Sequence, residues 1–259
     1  MTDFLDKLIS DANSRLTHGY YDTEIKIDHK HVSLCQAIKQ ASHNAIIAEI
    51  KPKSPALGTL RVEMNPKDIA MQLARGGAAA LSVLTEPDNF GGRLDNLVQI
   101  RPYVSIPLLM KDIVIDAKQI IAAEESGADC ILLILSALSR KGIQPAELIK
   151  KAHSSRLEVL LEVHDTEELD RASRTDADII GINNRNLTTL EIDLNTTTRL
   201  IETTAAKQIR SKALISESGL ETAEDVRRLK RPQINGFLIG SSIMLATDPE
   251  SKVREFVHA

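Results

Sequence analysis

Eight short apolar runs, recurring at similar intervals, constrain this chain more than any other feature. They are Ala45 to Lys51, Ala80 to Thr85, Pro107 to Lys111, Cys130 to Leu135, Val159 to Val163, Ile179 to Asn183, Ala213 to Glu217 and Gly236 to Gly240. Each is near-continuously apolar rather than alternating, as parallel strands covered on both faces are. A single run of this kind reads equally well as a buried helix segment. Eight in series argue against that reading.

Helix patterns fall between the runs. Asn65 and Pro66 place a cap and a first-turn proline ahead of Lys67 to Ala74, and Gly76-Gly77 ends that stretch. Asp116 precedes Ala117 to Ser126, which stops at Gly127. Asp165 and Thr222 read as caps of two further helices. Eight strand–helix units predict an α/β chain folded as a (β/α)8 TIM barrel, a fold of about 250 residues. A doubly wound open sheet is the alternative, but no early G-x-G-x-x-G supports a dinucleotide-binding version. The expected organisation is a single domain spanning 1–259, with an N-terminal helical extension over 1–44 and the barrel over 45–259. Within the extension, Asp3 to Arg15 reads as an amphipathic helix with Phe4, Leu5, Leu8, Ile9 and Ala12 on one face. In a barrel it caps one end or lines the mouth.

Composition excludes several classes. The 32 Lys and Arg against 36 Asp and Glu leave a net charge of −4, with no basic excess for nucleic acid or an anionic membrane. Aromatic residues make up 3% and Trp is absent, which argues against a base-stacking platform. No run approaches the roughly 20 apolar residues of a membrane span. The acidic start, Met1 to Asp6, lacks the basic and apolar regions of a secretory signal. Cys35 and Cys130 are too few for a disulfide framework or a Cys-rich zinc site, and the His residues show no H-x-x-x-H or other metal spacing. The expectation is a cytoplasmic protein without nucleic-acid or membrane partners.

A barrel carries its chemistry at the carboxyl ends of its strands. Those ends read Glu49-Ile50-Lys51 with Lys53-Ser54, then Thr85-Glu86, Lys111-Asp112, Glu162, Asn183-Asn184-Arg185, Glu217-Ser218-Gly219 and Gly240-Ser241-Ser242. Lys51 and Lys111, taken singly, read equally well as solvated strand-end charges. Glu162, flanked by Leu161 and Val163, is a carboxylate in a buried strand and needs a partner or a purpose. Glu49 and Lys51 are two residues apart and share a strand face. Two carboxylates and two ammonium groups converging in one mouth tune each other's pKa values, as acid–base catalysis requires. The Gly-Ser turns after strands seven and eight lie where barrels often bind phosphate. Lys53 and Ser54 add a charge and a hydroxyl. His164 reads equally as a paired structural histidine or a catalytic one. Phe90, in Asn89-Phe90-Gly91-Gly92, reads as a lid contact for an apolar substrate or as loop packing.

Over nearly the whole chain these stretches resemble the indole-3-glycerol-phosphate synthase family of tryptophan biosynthesis. The resemblance rests on Ile46-Ile47-Ala48-Glu49-Ile50-Lys51-Pro52-Lys53-Ser54-Pro55, Leu109-Met110-Lys111-Asp112, Leu161-Glu162-Val163-His164, Gly181-Ile182-Asn183-Asn184-Arg185-Asn186-Leu187, Ser216-Glu217-Ser218-Gly219 and Leu238-Ile239-Gly240-Ser241-Ser242, taken in order. It implies that 1-(2-carboxyphenylamino)-1-deoxyribulose 5-phosphate closes a ring, loses carbon dioxide and then loses water. No metal or organic cofactor is implied. By the same resemblance Lys111 is the acid for ring closure. Lys51, supported by Glu49, is the acid for dehydration, and Glu162 is a base or charge partner. Asn183 bonds substrate hydroxyls, with Arg185 and Glu217 holding the site. Lys53 pairs with the substrate carboxylate or phosphate, while Ser54, Ser218, Gly219, Gly240 and Ser241 hold the phosphate. Association with other tryptophan-pathway enzymes is left open.

Two departures stand out. The family usually has Phe after Lys-Asp, where this chain has Ile113, which keeps apolar area but gives up ring stacking worth about 0.5–1.5 kcal/mol. Arg93 stands where Ser is common. Two rival readings are another phosphate-binding barrel enzyme, such as phosphoribosylanthranilate isomerase, and a barrel that binds without catalysing. The first needs a Cys near the end of strand one and an Asp, and the Lys51, Lys111 and Glu162 set disfavours it. The second is expected to have lost some of the buried charges, which here are intact.

Overall fold

The computed structural model describes residues 3–23, 25–61, 64–203, 209 and 212–259. Its centre is a closed, all-parallel barrel of β1 (Ala45–Ile50), β2 (Ala80–Leu84), β3 (Leu108–Lys111), β4 (Cys130–Ile134), β5 (Glu158–Val163), β6 (Ile179–Asn183), β7 (Ala213–Glu217) and β8 (Gly236–Ile239). Neighbours in sequence pair in space, and β1 closes the ring on β8 through Ala45 opposite Gly236. The doubly wound alternative is therefore set aside. All but two of these strand residues, Lys111 and Glu158, are buried, which is why the runs are apolar at nearly every position. One run divides: Leu135 leaves the strand and starts a helix, Leu135–Lys141, while staying in the core.

The capping residues act as their chemistry dictates. Asn65 accepts from Lys67 N at the start of Pro66–Arg75. Asp116 and Thr222 each close a reciprocal capping box, on Ala117–Glu125 and Ala223–Leu229. Each such cap is worth about 1 kcal/mol. Among the described residues no helix is long and apolar enough to cross a membrane.

The N-terminal extension runs from one end of the barrel to the other. Helix α1 (Phe4–Thr17), capped by Asp3, buries Leu5, Leu8, Ile9 and Ala12, and each large side chain contributes about 1.5–3 kcal/mol. Arg15 ties the helix to the loop after β2, with Nη1 2.8 Å from Glu86 and 2.7 Å from Asp88. Arg140 holds its other end through Asp3 at 2.6 Å and Asp6 at 2.7 Å. These anchors follow strand ends, so α1 lies over the mouth. The chain then descends the wall, where Ile27 N donates to Glu125 O. Helix α2 (Leu34–Gln40) reaches the floor, where Cys35 N donates to Glu158 at the start of β5.

Candidate active site

A cavity of about 320 Å³ opens at the carboxyl ends of the strands. Its ionisable groups come from different strands. Glu49 of β1 lies between two ammonium groups, 2.7 Å from Lys51 Nζ and 3.6 Å from Lys111 Nζ. Lys111, the last residue of β3, also stands 3.9 Å from Glu162 and 3.9 Å from Glu217. Asn183, ending β6, donates from Nδ2 to Glu162 Oε1 at 3.0 Å, and its own oxygen accepts from Arg185 N at 2.9 Å.

Burial alone penalises every one of these charges, and the partners decide the outcome. At Glu49 burial is overcome by Lys51 and Lys111, so its pKa is lowered. At Lys111 burial is overcome by Glu49, Glu162 and Glu217, and the pKa rises above the ordinary lysine value, keeping the ammonium charged. Burial would raise Glu162 as well, but His164, Lys111 and Asn183 hold it well below the usual carboxylate range. Glu217 goes the other way. Burial and the nearby Glu162 push it up against the pull of Lys111, and neither oxygen has a hydrogen-bond partner among the described residues. The site thus holds two ionised carboxylates, at least one charged ammonium and a carboxyl that keeps its proton near neutral pH.

The sequence allows His164 a structural or a catalytic role. Its Nε2 contacts Glu162 Oε1 at 3.2 Å and its Nδ1 pairs with Glu168 at 3.1 Å. Burial disfavours the imidazolium, but a carboxylate at each nitrogen raises the pKa to about 10. It does not line the cavity; it stands behind Glu162 as a fixed positive charge.

The wall divides by strand. The loops after β7, β8 and β1, adjacent in the ring, supply Ser218, Gly219, Gly240, Ser241, Ser242 and Ser54. Gly219 has φ +80°, and a Cβ there would collide with Ile192. Gly240 packs against Glu49 so closely that a Cβ would strike its carboxylate. A short helix, Ser241–Leu245, follows without a side-chain cap. Across the ring, Phe90 after β2, Ile113 after β3, and Leu132 and Ile134 of β4 make an apolar surface, joined by Phe4 and Leu8 of α1. Phe90 thus faces the cavity, with its amide anchored on Glu86. Arg185 lines the mouth and donates to Leu190 O, holding the 184–194 loop, whose Leu187 and Ile192 complete the apolar wall.

Two expected residues lie off the cavity surface. Glu217 sits beneath Lys111, buried in the barrel. Lys53 is in a two-residue strand, Lys53–Ser54, paired with Gly58–Thr59; alternation turns Ser54 inward and Lys53 outward, where its Nζ donates to Asp88 O at 3.4 Å. Phe4 and Leu8 line the mouth, one of the two placements expected of the amphipathic helix, whereas the pairing of His164 with Glu168 leaves no mark in the sequence. The apolar face of α1 is readable, but where it docks depends on Arg15 and Arg140 meeting partners remote in sequence.

Fold and site together define a barrel enzyme that works by acid–base chemistry on a substrate with an anionic end and an apolar end. The family model described as indole-3-glycerol phosphate synthase matches residues 6–256. A protein of that name from Polaromonas naphthalenivorans is 40% identical over 96% of each chain. One from Acinetobacter baumannii is 42% identical over 82% of this chain and 77% of its own. Among solved structures, a 2-keto-3-deoxy-6-phospho-gluconate aldolase from Zymomonas mobilis superposes with TM-score 0.61 at 15% identity, covering 87% of this chain and 97% of that one, a likeness of fold. The chain belongs to the indole-3-glycerol phosphate synthase family, carboxy-lyases of tryptophan biosynthesis.

Proposed function

We propose that these residues divide the family's reaction between two ammonium groups. The substrate's phosphate is taken up by the loops after β7 and β8 with Ser54, and its ring by the apolar surface around Phe90 and Ile113. Lys111 faces the ribulose carbonyl. As the aromatic carbon bearing the carboxylate attacks, the carbonyl oxygen gains negative charge, and the Lys111 ammonium stabilises and protonates it. The raised pKa of Lys111 is no obstacle, because a developing alkoxide is more basic than an amine. The carbon–carboxylate bond then breaks, its electron pair returns to the ring and carbon dioxide leaves. Lys51, paired with Glu49, protonates the hydroxyl that departs as water. An ionised carboxylate, Glu49 or Glu162, takes the last proton and aromaticity is restored.

Lys53 supplies positive charge at the rim in this reading, and Glu217, protonated under Lys111, limits the negative charge around that ammonium. The extension over 1–44 works as part of the barrel, since Phe4 and Leu8 help to form the cavity. The observation that carries the proposal is the position of Lys111, within 4 Å of three carboxylates and facing the cavity. Incubating the protein with 1-(2-carboxyphenylamino)-1-deoxyribulose 5-phosphate and following indole fluorescence tests it. Indole-3-glycerol phosphate is expected, and none from folded protein overturns the reading.

A further inference from the structure

Far from the mouth, two histidines of the extension converge on one carboxylate. His29 and His31 lie in the non-helical stretch between α1 and α2, two residues apart, so their side chains fall on one side of the chain. His29 Nε2 is 3.2 Å and His31 Nδ1 3.8 Å from Asp129 Oδ1, just ahead of β4, and the ring centroids are 4.4 Å apart. The third residue, Asp129, is remote from them in the chain, so the His-x-His pair gives no complete ligand spacing in the sequence.

Asp129 is held firmly. Its Oδ2 accepts from Arg101 Nη1 at 2.7 Å and Leu108 N at 2.9 Å, while Oδ1 accepts from Val32 N at 2.9 Å and directs its remaining lone pair toward the imidazoles. Oδ2 is taken up by its two donors, while Oδ1, shared by Val32 N and His29 Nε2, is the oxygen that an ion between the imidazoles would meet, the arrangement of a metal ligand with its supporting hydrogen bonds. His31 Nδ1 is buried and has no hydrogen-bond partner among the described residues, an orphaned acceptor or donor in a folded protein. In a tetrahedral zinc site with bonds of about 2.0–2.1 Å, ligand atoms stand about 3.3 Å apart. The two distances to Oδ1 bracket that spacing.

We propose that His29, His31 and Asp129 form a binding site for Zn2+, with water as the fourth ligand, fastening the extension to the barrel wall. Two imidazoles and one carboxylate select zinc-like divalent ions over Mg2+ or Ca2+. The ion satisfies His31 and adds positive charge beside Arg101 and Arg156, which Asp129 and Glu124 offset. No step of the reaction passes through it.

Chelator-treated protein titrated with zinc chloride in a calorimeter tests the site. One ion per chain is expected, with affinity falling at least about tenfold in both His29→Ala and His31→Ala. Zinc at about a hundred times its Kd should raise the Tm of the unsubstituted protein by about 5 °C and leave that of His31→Ala unmoved. Removing His31 breaks no hydrogen bond at Nδ1, so the variant should fold, and its Tm without zinc checks this. Absence of stoichiometric binding, or unchanged binding in either variant, overturns the proposal. Indole synthesis by the chelator-treated enzyme is expected to persist, so this test and that of the reaction fail separately.

Discussion

Glu162, near the end of β5, and His164, just beyond it, lie 3.2 Å apart from carboxylate oxygen to imidazole nitrogen. Glu168 holds the ring from its far side. The contact is what lets a carboxylate inside an apolar barrel remain ionised. In His164→Ala the imidazolium is lost and burial pushes Glu162 up, leaving only Lys111 and Asn183 to oppose it. The proposed reaction needs the ionised form, so activity is then expected to fall as pH drops through the raised pKa. The acid limb of the kcat–pH profile should move up by about one unit or more, with KM little changed. A uniform loss across pH would mean that His164 only packs.

Glu217 makes the opposite prediction for stability. Burial and Glu162 raise its folded-state pKa to about 8, above its value in the unfolded chain. The folded protein therefore holds an extra proton between the two values. The associated stability is present at low pH and lost as pH rises through about 8, at a slope of at most about 1.4 kcal/mol per pH unit. Glu217→Gln cannot ionise and escapes that loss. Urea denaturation at pH 6 and pH 9 should show the difference between the variant and the parent moving in the variant's favour at the higher pH. An unchanged difference would show that Glu217 does not titrate there.

Gly219 carries a prediction for the phosphate end. Its positive φ and the nearby Ile192 leave no room for a side chain. Gly219→Ala must move the loop after β7, at a cost of about 1–3 kcal/mol. KM is expected to rise about tenfold or more, with kcat less affected; steady-state kinetics read both. An unaltered KM would remove this turn from the binding site.

How much of this was legible in the chain follows from the range of each interaction. The β strands and helix caps are written locally. A parallel strand buried on both faces must be apolar throughout, and Asp116 or Thr222 caps the helix that follows it. Glu49, Lys51, Lys111, Glu162 and Asn183 were legible because a barrel gathers its strand ends, so positions along eight runs become neighbours in one mouth. Contacts between remote loops left no local mark. The seat of α1 depends on Arg15 meeting Glu86 and Arg140 meeting Asp3, and the gathering of His29, His31 and Asp129 depends on the path of the extension. Lys53 shows a finer limit: a two-residue strand turns Ser54 into the cavity and its neighbour away from it.

The most direct measurement of the chemistry is turnover by Lys111→Ala, followed by indole fluorescence, beside the affinity of the same variant for indole-3-glycerol phosphate. Loss of the ammonium proposed to meet the ribulose carbonyl should lower kcat by at least about a hundredfold. Product affinity should remain within about threefold, because in the proposed reading the phosphate and the ring are held by other loops. Turnover near that of the unsubstituted enzyme would contradict the acid role of Lys111.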